Sequence, residues 1–102
     1  METVPQLDAL LRVLREHQGE LRASGVQHAA IFGPVARHQA TEASDVDVLV
    51  DLDPEARVNI FEFESIETQL SVLLNRKVDL VSRGGLKPGR HDRIAAEAVA
   101  AF

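Results

Sequence analysis

Cysteine is absent from this chain, and so are tryptophan and tyrosine. Without thiols there is no disulfide framework and no thiolate metal centre, which fits a reducing compartment and leads us to expect a cytoplasmic protein. Four phenylalanines are the only aromatics, so any core must be built from Leu, Val, Ile and Ala. Basic residues are in the minority, 11 Lys and Arg against 16 Asp and Glu, for a net charge of -5. That balance weighs against direct nucleic-acid binding, which draws its affinity from cations set against phosphates. No apolar run approaches the ~18 residues of a membrane span, and no basic segment leads into an apolar stretch as a signal peptide would. Internal repeats, low-complexity tracts and a Gly-Lys-Ser/Thr phosphate loop are also missing.

What remains is 102 residues, 45% hydrophobic, enough for a single domain over residues 1–102. Pro5, after Thr3 or Val4, reads as a helix start. Leu7, Leu10, Leu11, Leu14 and Leu21 form the apolar stripe of that helix, and Gly25 is its stop. Val26–Phe32 reads as a short buried strand, and Pro34–His38 as one or two helical turns. Val46, Val48, Val50 and Leu52 alternate through a second strand, Asp45–Leu52, which Pro54 ends. Phe63, Ile66, Leu70, Leu73 and Leu74 mark a helix over Ile60–Asn75. "KVDLVS" is a third strand, the Gly84-Gly85 and Pro88-Gly89 pairs read as loop, and Ile94, Ala95, Ala98 and Phe102 suggest a closing helix. The fold class is therefore α/β (α+β), with a small mixed sheet of three or four strands covered by helices. Phe61 and Phe102 read first as residues closing the core and second as a docking face.

The aspartates are the oddity. Residues two apart on a strand share a face, so Asp45 and Asp47 project together while the valines around them turn inward. Asp79 interrupts the apolar run of the third strand. If that strand pairs with the second, three carboxylates converge, and oxygen donors of this kind suit Mg²⁺ and a two-metal site. The plainer reading makes Asp45 and Asp47 solvated strand-end charges and Asp79 a guard against edge-to-edge pairing. Asp51 and Asp53, of the same parity, read as strand-end and turn residues. The four histidines are scattered, with no ligand spacing.

Phe32-Gly33 ends a strand just before a helical turn, where a glycine lets backbone approach a ligand closely. Taken together, "FGPVARHQATEASDVDVLVDLD", "RKVDLVS" and "LKPGRHDRIAAEAVAAF" resemble the minimal nucleotidyltransferases of the DNA polymerase beta superfamily, the MntA-like antitoxins of HEPN toxin pairs. The resemblance covers nearly the whole chain. It implies a polymerase-beta-like nucleotidyltransferase fold, with Asp45, Asp47 and Asp79 holding two Mg²⁺ ions and Asp79 helping to deprotonate the incoming hydroxyl. It further implies nucleotide contacts at Gly33, Pro34, Arg37 and Ser44, with ATP as substrate. The expected reaction moves AMP onto a hydroxyl of a HEPN toxin, most naturally a tyrosine, within a hetero-oligomer; having no tyrosine, the chain cannot be its own tyrosine acceptor.

Two positions depart from the pattern. Pro34 replaces the family serine and removes both a hydroxyl and an N–H from the phosphate site. His38 replaces the glycine that usually follows the arginine. These changes favour the alternative of an antitoxin that neutralises its toxin by binding alone, whereas three intact aspartates favour the enzyme. For Arg37, a nucleotide contact and an ordinary surface ion pair both stay open.

Overall fold

A computed structural model describes residues 4–102; Thr3 lies outside them. The first helix begins later than Pro5 suggests. Gln6 keeps an extended backbone and stands as N-cap, so α1 runs Leu7–Glu16 with Leu7, Leu10, Leu11 and Leu14 buried. The stripe would continue at positions 17 and 18, but these are His17 and Gln18. The helix breaks at His17, and α2 (Gln18–Ala23) re-aims Leu21 into the core. Gly25 follows with φ +105, as a helix stop requires.

Then come β1 (Val26–Phe32), the single turn α3 (Gly33–Ala36) and β2 (Val46–Leu52). Asp53 accepts the Glu55 N–H at 3.0 Å and caps a short 3-10 turn over Pro54–Ala56. Helix α4 (Ile60–Leu74) opens on a reciprocal cap: Asn59 accepts from the Glu62 N–H at 2.8 Å and the Glu62 side chain accepts from the Asn59 N–H. It closes on Asn75 in the left-handed region. The remaining elements are β3 (Val78–Ser82), a 3-10 turn over Arg83–Gly85, α5 (Pro88–Glu97) and the two-residue β4 (Val99–Ala100).

Two expectations are corrected here. Pro88-Gly89 opens a helix rather than continuing a loop, because proline at the first helical positions costs no hydrogen bond. The closing helix stops at Glu97, so Ala98 and Phe102 lie beyond it. The last residues extend along β1: Ala101 N–H donates to the Ala29 carbonyl at 2.8 Å, and Arg15 Nε holds the Ala101 carbonyl at 2.8 Å. An unpaired edge of β1 outweighs the helix preference of an alanine run.

The sheet is mixed, in the order β3-β2-β1-β4. β1 is antiparallel to both neighbours and β2 is parallel to β3, with α4 as the crossover. Alternation gives the two faces different contents. Val46, Val48, Val50, Val78 and Leu80 join Leu14, Leu21, Ile66 and Leu70 in the main core beneath α1, α2 and α4. The opposite face carries a smaller cluster of Ala30, Phe32 and Leu49, covered by Ile94 of α5 and flanked by the partly buried Val81, Leu86 and Ala98. Phe102 packs on the main core with Arg22 over its ring, 5.4 Å from the centroid, whereas Phe61 is 76% exposed and closes nothing. Among the described residues no helix is long and apolar enough to cross a membrane.

Candidate active site

Asp47 is the centre. It sits in β2, one of the two internal strands, with Phe32 of β1 as its partner on one side and Asp79 of β3 on the other. Neighbouring strands are about 4.8 Å apart, so the two carboxylates rise side by side from the lightly covered face. Asp45 immediately precedes the strand with the same parity. Asp45 and Asp79 are exposed and Asp47 is half-buried. Burial, then Asp79, then Asp45 push the Asp47 carboxyl above the usual carboxylate range; Arg37 pulls it back, and Glu97 adds a little to the rise. The sequence-predicted triad is thus brought to one face of two adjacent strands and repels itself. Among the described residues no three such side chains are drawn together tightly enough to ligate an ion as they stand.

Gly33 explains itself. It turns the chain from β1 into α3 with φ +73, and a Cβ there would run into Asp47 Oδ2. The corner therefore needs glycine twice, for its left-handed backbone and for the close approach of a carboxylate. Pro34 fits the first turn of α3 as expected and keeps its shape: Arg37 N–H reaches the Gly33 carbonyl at 3.2 Å and Gln39 N–H the Pro34 carbonyl at 2.8 Å. His38 then adopts φ +58, a conformation that glycine adopts at least cost.

The other predicted residues divide. Arg37 Nη1 donates to Glu97 Oε2 at 2.6 Å, and its Nε donates to Gln39 Oε1 at 3.2 Å. It faces the acidic cluster and at the same time forms the ion pair of the plainer reading. The Ser44 hydroxyl accepts the Thr41 N–H at 2.8 Å and closes the turn into β2. Arg76 anchors the same turn through the Glu42 carbonyl at 2.9 Å. Asp51 is paired with Arg83 Nε at 2.7 Å and Asp53 is a cap, so neither belongs to the centre. An open cleft of about 630 Å³ adjoins Asp45; Gln6, Leu10, Ser44, Asn75 and Lys77 also line it.

Sequence reasoning missed Glu97. Its Oε1 accepts the Gly33 N–H at 3.3 Å while Oε2 holds Arg37, and these hydrogen bonds, Arg37's foremost, keep its carboxyl below the usual range. The available signal was a lone carboxylate in the apolar run "IAAEAVAAF".

Residues 8–101 match the family model of the nucleotidyltransferase domain. The protein adenylyltransferase MntA of Thermococcus cleftensis is 37% identical over 94 residues, covering 91% of this chain and 93% of that protein. A solved structure assigned as a minimal nucleotidyltransferase superposes with a TM-score of 0.76 at 34% identity, over 92% of this chain and 94% of its own. At 16% identity, where only the fold is comparable, the MNT antitoxin–HEPN toxin complex of Shewanella oneidensis gives 0.63 over 90% of this chain and 71% of that one. By the family match and the shared sequence over nine-tenths of its length, the chain belongs to the nucleotidyltransferase domain family, as a homologue of the MntA protein adenylyltransferases.

Proposed function

We propose that residues 1–102 form one catalytic domain that transfers AMP from ATP to a hydroxyl, preferentially a tyrosine, of a HEPN toxin in the cytoplasm, and so acts as its antitoxin. The observation that carries this reading is the strand register: Asp47 opposite Asp79, Asp45 two residues upstream, and Gly33 pressed against the Asp47 carboxylate. Support for acceptor and partner comes from the relatives, one named a protein adenylyltransferase and one bound to a tri-AMPylated HEPN toxin.

Asp47, whose cost of ionisation is raised by burial and by Asp79 and Asp45 beside it, forms with them a donor set suited to a hard divalent cation. Asp45, Asp47 and Asp79 would hold two Mg²⁺ ions, which supply neutralisation of charge on attacking and leaving oxygens. Gly33 lets the triphosphate lie against backbone, and Arg37 supplies a planar pair of donors for its oxygens. Asp79, the more exposed of the facing pair, takes the proton of the acceptor hydroxyl as its oxygen bonds to the α-phosphorus and pyrophosphate leaves. The cleft beside Asp45 gives an acceptor segment a place to lie.

Pro34 favours a second reading, in which the chain neutralises its toxin by occupancy alone. Two phosphate donors are gone, each hydrogen bond to a charged group being worth roughly 1.5–3 kcal/mol. Incubation with ATP, Mg²⁺ and the product of the neighbouring gene, followed by intact mass, separates the two. An AMP-sized gain on the partner that disappears with D45N/D47N is expected. Tight complex formation without any adduct would decide for occupancy.

A further inference from the structure

The Glu97 carboxylate stands where its own helix disfavours a negative charge. It is the last residue of α5, where the helix dipole opposes a negative charge. It reaches across to α3 and uses both oxygens there, Oε1 on the Gly33 N–H at 3.3 Å and Oε2 on Arg37 Nη1 at 2.6 Å. It also stands close enough to Asp47 to add to the charge burden of that side chain. A carboxylate brought into an acidic cluster and bound to a backbone N–H and a guanidinium is arranged as a phosphate oxygen pair would be. Pro34 sharpens the point: with no N–H at the next residue, Gly33 and Arg37 carry more of whatever anion recognition this corner retains.

We infer that Glu97 is an affinity-setting residue that occupies the phosphate donors of Gly33 and Arg37 and must swing away before a nucleoside triphosphate can bind. This rests on the nucleotide reading of Gly33 and Arg37 given above. The carboxylate is 28% exposed, so a rotamer change frees it without unfolding α5. An apparent dissociation constant is inflated by the fraction of molecules in which the site is blocked. A capped fraction of roughly 70–90% corresponds to a weakening of about threefold to tenfold.

Calorimetric titration of wild type, E97A and E97Q with ATP in Mg²⁺ buffer tests this. E97A is expected to bind ATP on the order of threefold to tenfold more tightly, E97Q less so. Affinity for adenosine, which brings no phosphate, should not change, and the gain should shrink in an R37A background. A general loosening of the fold would not sort ligands by phosphate. If wild type binds ATP and E97A binds it equally or less well, Glu97 instead holds Arg37 in place and the inference is overturned. If neither protein binds ATP, the nucleotide reading itself fails and takes this one with it.

Discussion

The two faces of the sheet are written in the same strands, one residue out of phase, and they are built to opposite ends. On one face Val46, Val48, Val50, Val78 and Leu80 meet the leucines of α1, α2 and α4, and every one of these strand side chains is buried. On the other, Asp45, Asp47 and Asp79 stand on the polar side of the alternation, and Leu49, Ala30, Phe32 and Ile94 form the buried part of a small cluster beside them. The first face contributes stability through burial. The second uses that stability to hold like charges together. The buried valines are what let the aspartates remain apposed, since strand pairing fixed by the core leaves the opposite side chains no freedom of register.

The largest effect should come from emptying the deep face. Leu70 is fully buried, and Leu70→Ala should cost about 2–5 kcal/mol by chemical denaturation. Ile94→Ala, on the thin face, should fall at or below the lower end of that range, because the site can collapse or admit water. Equal losses would mean that the small cluster is as much a core as the large one.

Next in size is the charge at the centre. Asp47→Asn should lower adenylyl transfer on the order of 10²–10³-fold while raising the melting temperature of the metal-free protein. The sign follows from the direction of the shift. The folded-state pKa of Asp47 is raised by burial, Asp79 and Asp45, so protonated Asp47 favours the fold. That contribution is complete below the unfolded value near 3.8 and is lost as pH rises through the folded pKa. The melting-temperature gain of the variant should therefore be present at neutral pH and vanish towards pH 3–4. A gain unchanged across that range would show that the aspartates do not burden one another.

Much of this contrast was legible beforehand because alternation of period two is written directly in residues 45–52 and 77–82. The same parity that buries the valines fixes where the aspartates point, and the Phe32-Gly33 corner was readable from glycine chemistry. The sequence was less open where tertiary contacts override local preference. His17 and Gln18 interrupt the leucine stripe and split the first helix, but only the position of Leu21 in the core reveals it. The run Ala98–Phe102 favours helix by propensity and extends instead because the edge of β1 is free to pair. Glu97 was hidden for the same reason: nothing local says that the end of α5 lies against α3, 60 residues from Arg37.

Gly33→Ala probes the seam between the two faces. The new Cβ would meet the Asp47 carboxylate, and φ +73 costs a non-glycine residue about 1–2 kcal/mol. A stability loss of at least that size is expected from urea unfolding. The double variant Gly33→Ala with Asp47→Ala should recover the collision but not the backbone strain. A full recovery would mean that the left-handed turn is not a constraint.

The smallest effect concerns His38, on the site side, and Asn75, which ends α4; both are left-handed, with φ +58 and φ +52. His38→Gly removes a backbone cost of about 1–2 kcal/mol but restores about 0.4–1 kcal/mol of freedom to the unfolded chain. The net should be a gain of roughly 0.5 kcal/mol. Asparagine already tolerates this conformation by hydrogen bonding locally, so Asn75→Gly should gain less or nothing. Thermal unfolding of the two variants side by side is the check. If Asn75→Gly gains as much as His38→Gly, the strain at position 38 is a general property of left-handed turns. If only His38→Gly gains, the extra strain is confined to the turn that carries Arg37, and the aspartate face bears backbone cost as well as charge cost.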